Sequence, residues 1–167
     1  MTTVYLMTGV PGSGKSTFIR EQLKELNAVY EKAIHISRDE IRFSLLEEND
    51  DYFAKEDLVI KTFIKRISES ILKYDVVFID ATHLTESARN KILKEVENID
   101  LCFVVAINFI VPLEICLERN AKRTGRERVP DEVVKKMFKN YKPAKYSEKF
   151  YYDGIINVDE KGEVKYV

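Results

Sequence analysis

Short apolar runs recur along the chain at Val4–Met7, Ala33–Ile36, Val76–Ile79, Leu101–Ile107 and Ile155–Val158. Each has the length and composition of a buried strand. Between them the apolar residues change period. Phe18, Ile19, Leu23 and Leu26 recur at helical spacing, and so do Leu58, Ile60, Phe63, Ile64, Ile67, Ile71 and Leu72. The second set predicts one long helix dominating Asp50 to Tyr74, with Lys61, Lys65, Arg66 and Lys73 on its solvated face. Further helices are expected over Glu86–Glu97 behind Thr85, from Pro112 through Leu117, and over Asp131–Asn140 behind Pro130. Alternating strands and helices predict a mainly parallel five-stranded sheet with helices on both faces, a three-layer αβα sandwich in one domain over 1–167. Glu160-Lys161-Gly162 reads as a tight turn into a short terminal strand, Val164–Val167. The loosest segments are Asn49-Asp50-Asp51 and Tyr141–Lys149.

Composition changes this picture little. The chain has 167 residues, 45% of them hydrophobic, which is enough for a real core. A net charge of -1 supplies no global field toward nucleic acid or membrane, so any such contact is local. No stretch has the length of a membrane span, and the N-terminus lacks a signal-peptide pattern, so the expected location is the cytoplasm. Cys102 and Cys116 read as buried thiols rather than a disulfide or metal pair.

The chemistry begins after the first strand. Gly9-Val10-Pro11-Gly12-Ser13-Gly14-Lys15-Ser16-Thr17 fits G-x-x-x-x-G-K-[ST] at every fixed position, between a strand and a helix. That is the phosphate loop of a P-loop NTPase-type fold. Gly12, Ser13, Gly14, Lys15, Ser16 and Thr17 are the expected nucleotide contacts, with ATP as donor. Glycines let successive N–H groups face one anion, and the helix start adds its positive end. Lys15 reaches the β- and γ-phosphates, and the Ser16 hydroxyl ligates Mg²⁺.

Two other strand ends carry charged residues. Behind Ala33–Ile36 comes Ser37-Arg38-Asp39-Glu40-Ile41-Arg42. A capping box accounts for Ser37 and Glu40 and leaves Arg38, Asp39 and Arg42 unexplained. Ligands of open α/β sheets sit beyond the carboxyl ends of the strands. Asp39 is therefore placed to accept or orient the proton of a substrate hydroxyl, and Arg42, one turn on, to meet phosphate on the substrate. Val76-Val77-Phe78-Ile79-Asp80 is a Walker B-like strand whose Asp80 faces Mg²⁺ opposite Ser16. Thr82 and His83 follow at the same edge, and His83 reads equally as a substrate contact or a plain loop residue; His35, inside a strand, reads as structural. After the fourth strand, helix, basic turn and helix span about 112–140, with five basic residues from Arg119 to Arg128. That arrangement predicts a lid that brings arginines onto the γ-phosphate and excludes water. Arg119 and Arg123 share a face if their helix continues.

Taken together, Gly9–Thr17, Ser37–Arg42, Asp80-Ala81-Thr82-His83 and Arg119…Arg123…Val129-Pro130 resemble the 5′-hydroxyl polynucleotide kinase domain of bacteriophage end-healing and bacterial RNA-repair enzymes. The resemblance covers nearly the whole chain. It implies transfer of the ATP γ-phosphate to the 5′-OH end of DNA or RNA, with Lys15, Asp39 and Arg123 catalytic. It implies Arg119 and Arg123 on the ATP phosphates, and Arg38, Arg42, Thr82 and His83 on the acceptor end. No D-x-D-x-T phosphatase element is present. A small-molecule kinase for a sugar, antibiotic or nucleotide sugar shares the loop, the aspartate and the lid; only Arg42 argues against an uncharged acceptor. A nucleotide-binding switch without transfer activity is the third reading.

Overall fold

The computed structural model describes residues 1–29 and 32–167. Among the described residues six strands form one sheet in the order β2-β3-β1-β4-β5-β6. They are β1 (Thr3–Thr8), β2 (Ala33–Ser37), β3 (Val76–Asp80), β4 (Phe103–Phe109), β5 (Gly154–Val158) and β6 (Val164–Tyr166). The first five are parallel, and β6 runs antiparallel to β5. The expected five-stranded count is therefore corrected to six. The Glu160–Gly162 turn, with Gly162 at φ +82° and its N–H on Asp159 O at 3.1 Å, folds the C-terminus back as a hairpin strand.

Alternate residues of each strand feed two cores, as a sheet covered on both faces requires. Val4, Leu6, Val77, Ile79, Val104 and Ala106 face α3 (Glu56–Ile71) and α4 (Glu86–Glu95). Met7, Phe78, Val105, Ile107 and Phe109 face α1 (Lys15–Ala28), α5 (Leu113–Ala121) and α6 (Asp131–Asn140). α3 is shorter than the segment expected to hold it, and it buries Val59, Phe63, Ile67 and Ile71. Leu58 and Leu72, assigned to its apolar face, are exposed. The Leu46–Lys55 stretch before it is a succession of turns. No described helix is long and apolar enough to cross a membrane.

Parallel pairing puts all the strand carboxyl ends on one edge. The chain leaves β1 for β2 on one side, returns through β3, then crosses to β4 on the other side. The loop after β1 thus opens where the winding reverses, which is the ligand crevice of such sheets. Ser37 pairs with Asp80 at the same edge, bringing the ends of β2 and β3 level.

Candidate active site

The loop after β1 is built from backbone. Gly12 and Gly14 take left-handed conformations at φ +80° and +101°, and Gly14 is the N-cap of α1. Gly12 lies directly against the Cys116 carbonyl of α5, where any side chain would collide. Ser13 is buried, its N–H on Val10 O at 3.2 Å. Lys15 opens α1 and folds across the loop, donating Nζ to Gly9 O at 2.9 Å and Val10 O at 3.0 Å. Its third N–H is left for an incoming anion. Burial lowers the Lys15 pKa; Asp80 and Asp39 oppose that shift, and Arg123 adds to it. The Asp80 and Asp39 carboxylates and the Arg123 guanidinium are therefore near enough for their charges to act on Lys15. Thr17 opens onto solvent and accepts from Arg20 at 3.2 Å.

Asp80 ends β3 nearly buried. Its Oδ2 accepts from Ser16 Oγ at 2.8 Å and from His35 Nε2 at 2.9 Å. Burial alone would raise the Asp80 pKa, but the bond from His35, the charge of Lys15 and the bond from Ser16 outweigh it and hold it low. A hydroxyl beside an ionised carboxylate is a donor set that suits a hard cation such as Mg²⁺, which keeps several waters and binds protein through one or two oxygens. Ser16 Oγ spends its hydrogen on Asp80 and so turns lone pairs outward. His35, expected to be structural, is instead a direct partner of this carboxylate; the only sequence signal was its place one pleat before the strand end.

The second half of the site lies on α2 (Arg38–Leu45). Ser37 Oγ accepts from Glu40 N–H at 3.2 Å, the cap foreseen from the sequence. Asp39 is 62% exposed. Arg42, three residues on, is 1% exposed. It donates Nη1 to Asp39 Oδ1 at 2.7 Å and to Tyr52 Oη at 2.8 Å, and Nη2 to Glu56 Oε2 at 2.6 Å. Tyr52 Oη donates in turn to Asp39 Oδ1 at 2.9 Å, and its ring lies 4.3 Å from the Arg42 guanidinium carbon. Burial first, then the Asp39 charge, push the Tyr52 hydroxyl up to about 12, so it remains a donor. Sequence reasoning found Asp39 and Arg42 and missed Tyr52 and Glu56. Neither lies in a recognisable motif, and both are brought in by the turn-rich stretch and the start of α3.

Thr82 and His83 sit between the two halves. Gly9 N–H donates to Thr82 O at 2.9 Å, tying this turn to the phosphate loop. His83 is buried at φ +42°, a conformation that costs a residue with a side chain about 1–3 kcal/mol. Its Nδ1 donates to Met7 O at 2.8 Å. Arg89 of α4, fully buried, holds the turn from behind. It donates to His83 O at 2.8 Å and Lys142 O at 2.9 Å, and forms an ion pair with Glu148. The Tyr141–Lys149 segment, expected to be loose, is thus irregular but anchored. Asn108 adds to the anchor, accepting Ala144 N–H at 2.8 Å and Thr8 Oγ1 at 2.8 Å. Arg89, Asn108 and Glu148 carry no motif signal, since a buried polar side chain reads from sequence like any surface one.

The helix, basic turn and helix expected to form a lid follow β4. α5 stops at Ala121, so the continuous helix on which Arg119 and Arg123 would share a face is not formed. Arg119 donates Nη1 to Ser13 O at 3.4 Å and Nη2 to Glu160 O at 2.6 Å, linking the phosphate loop to the C-terminal hairpin. Arg123 lies just past the helix end, close enough to lower the Lys15 pKa. Asn120 braces the turn by bonding both ends of its amide to the Val129 backbone, at 2.6 and 3.1 Å. At the tip, Arg126 donates to Glu47 O and Glu48 O, both at 2.7 Å. The basic turn therefore bridges from the phosphate-loop side to the Asp39 side.

The AAA domain family matches residues 4–144, most of the chain. Among solved structures, a chain of the Pnkp1/Rnl/Hen1 RNA repair complex superposes with a TM-score of 0.70 at 21% identity, over 83% of this chain and 43% of that one. A fungal RNA kinase gives 0.60 at 18% identity, over 94% of this chain and 38% of that one. A gluconokinase from Sinorhizobium meliloti 1021 gives 0.52 at 17% identity, over 94% and 82%. The chain spans less than half the length of the two RNA-related chains it matches. At these identities the likeness is one of fold, an α/β P-loop domain. The chain belongs to the AAA domain family, and its intact phosphate loop implies nucleoside triphosphate binding.

Proposed function

We propose that this AAA-family P-loop domain is a kinase that transfers the γ-phosphate of ATP to the 5′-hydroxyl end of a nucleic acid. The observation that carries the reading is Asp39. It is an exposed carboxylate beyond β2, near enough to Lys15 to influence its pKa. Both bonds donated to Asp39 land on Oδ1, from Arg42 and Tyr52. Oδ2 receives none from any described residue, so it is the atom left to take a proton.

In the proposed reaction the loop amides and Lys15 hold the β- and γ-phosphates of ATP. Asp39 Oδ2 takes the proton of the 5′-OH, the 5′ oxygen forms a bond to the γ-phosphorus, and the bond to the leaving ADP oxygen breaks. Arg123 supplies positive charge to the transferring group, and Arg119 keeps the loop seated. Ser16 and Asp80 are the residues that would hold Mg²⁺, which neutralises phosphate charge when bound. Arg126 and Asn120 keep the basic turn across the cleft, limiting water as competitor for the phosphoryl group. Two fold neighbours, a chain of an RNA repair complex and an RNA kinase, support a nucleic-acid acceptor. The test is transfer of labelled γ-phosphate to a 5′-OH oligonucleotide by wild type and Asp39→Asn. Transfer that the substitution abolishes is expected; wild-type inactivity, or an undiminished variant, rejects the reading.

One observation favours a second acceptor class. Arg42 was expected to bind a substrate phosphate, yet its guanidinium is buried and already engaged by Asp39, Tyr52 and Glu56. Only Arg42 Nε is without a partner, and it is buried, so an acceptor phosphate meets this guanidinium by displacing one of these groups, such as Glu56. An uncharged acceptor such as a sugar asks for no exchange, and a gluconokinase shares the fold. Screening acceptors by ADP release decides between them: a sugar turning over faster than any oligonucleotide selects the second class.

A further inference from the structure

His83 is held more firmly than a loop histidine requires. The backbone at Thr82 and His83 is clamped from the phosphate loop by Gly9 N–H and from α4 by Arg89. The ring stacks on Phe63, centroids 6.3 Å apart and planes 25° apart. Nδ1 faces the Met7 carbonyl, and a carbonyl only accepts, so Nδ1 carries the hydrogen. Burial lowers the imidazole pKa to about 3, which keeps the ring neutral near pH 7. Nε2 is then a bare lone pair, buried and without a donor among the described residues.

Arg38 presents the complementary orphan. Its Nε–H is buried and has no acceptor among the described residues. Arg38 precedes Asp39 in the chain, and its charge is felt at the His83 imidazole. Buried polar atoms without partners are uncommon and call for an explanation. An unused acceptor just past the end of β3 and an unused donor just past the level end of β2 match a group that both gives and takes a hydrogen bond, which is what a hydroxyl does. A metal-bound water fits less well. It gives hydrogens to His83, but its lone pair is directed at the cation and cannot serve Arg38.

We infer that His83 Nε2 and Arg38 Nε form a subsite for a second hydroxyl of the acceptor. Resting on the 5′-end kinase reading above, that hydroxyl is the 2′-OH of the terminal nucleotide. The 5′ oxygen of such an end is the reacting atom and the 3′ oxygen is esterified, so the 2′-OH is the one hydroxyl the sugar has left. The subsite therefore selects ribonucleotide over deoxyribonucleotide ends.

The test compares kcat/KM of the wild type on two 5′-OH RNA oligonucleotides of one sequence, differing only by a 2′-deoxy sugar at the first nucleotide. The deoxy end is expected to fall about tenfold or more, because it leaves both buried groups unpaired. His83→Phe keeps a ring on Phe63 and removes the lone pair; in it the ratio of the two ends falls to about one. His83→Gln, whose amide oxygen can accept, recovers part of the preference. Binding of a fluorescent ATP analogue reports that each variant keeps its donor loop, and the wild-type comparison stands without any variant. Equal wild-type rates on the two ends overturn the subsite and mean that a buried water fills it. A preference that survives in folded His83→Phe also overturns it. Transfer to neither oligonucleotide removes the 5′-end reading and the subsite together, whereas transfer without sugar preference removes the subsite alone.

Discussion

The two halves of the cleft are built on opposite plans. The phosphate-loop half is made from main chain: left-handed glycines, a helix start, and a lysine resting on two loop carbonyls. Its residues are neighbours in sequence, with Asp80 and His35 closing it from adjacent strands. The Asp39 half is made from side chains. Arg42 is sunk between two carboxylates and two aromatic rings, and of the two carboxylates Asp39 is the well exposed one. The first plan holds one kind of ligand, an anion with several oxygens. The second depends on which partners surround one guanidinium, so a change of acceptor requires few substitutions. An RNA kinase and a gluconokinase share this fold.

The largest expected effect breaks each half in turn. Lys15→Ala should lower single-turnover phosphate transfer by on the order of 10³-fold or more, through loss of charge on the transferring group. Asp39→Asn should lower it by roughly 10²- to 10⁴-fold while leaving ATP-analogue binding intact, since only the acceptor proton loses its base. If Asp39→Asn instead weakens ATP binding and spares transfer, the division into halves is wrong.

Next in size is the support beneath both. Arg89→Met leaves the Glu148 carboxylate buried and unpaired, which costs about 3–5 kcal/mol. Thermal unfolding should move down by roughly 6–20 °C for a domain of this size. Pairing Arg89→Met with Glu148→Leu should recover much of that loss, because no charge is then stranded. A double variant no better than the single one would place the stability in the bonds to His83 O and Lys142 O instead.

Acidity separates His83 from the rest of the site. Its folded pKa is about 3 against 6.5 for an ordinary histidine. Between those values the unfolded chain binds a proton that the folded chain refuses, so stability falls as pH drops below 6.5. The loss by pH 5 is about 2 kcal/mol, readable as a lower urea midpoint than at pH 7. His83→Gln should flatten that slope. The Asp80 pKa is lowered, so its stabilising contribution persists well into acid and is lost only as pH falls through that depressed value.

The smallest effect sharpens the Asp39 half. Tyr52→Phe removes the bond to Asp39 and one partner of Arg42. A single bond of about 1 kcal/mol corresponds to roughly a fivefold change in kcat. Glu56→Gln weakens the hold on Arg42 and should raise the preference for acceptors bearing a phosphate over uncharged ones. An unchanged acceptor profile would mean that Arg42 serves only to orient Asp39.

By itself the sequence determined whatever rests on neighbours in the chain. The period of apolar residues marked five strands and the helices between them, and the glycine spacing with Lys15 and Ser16 marked the phosphate loop. Ser37 and Thr85 were legible as caps because capping acts within one turn. The terminal strand was also visible, but not that it joins the sheet antiparallel as a sixth member. Only the tertiary structure decided the rest. His35 read only as a structural strand residue until strand pairing set β2 beside β3 and brought it to Asp80. Arg42 looked like a free cation until Glu56 and Tyr52 folded over it. Tyr141–Lys149 looked loose because its restraints, Asn108 and Arg89, come from other elements of the fold. The physical reason is common to all three. Local propensity and spacing reach a few residues along the chain, whereas burial and hydrogen bonding depend on what the sheet's winding brings within 3 Å.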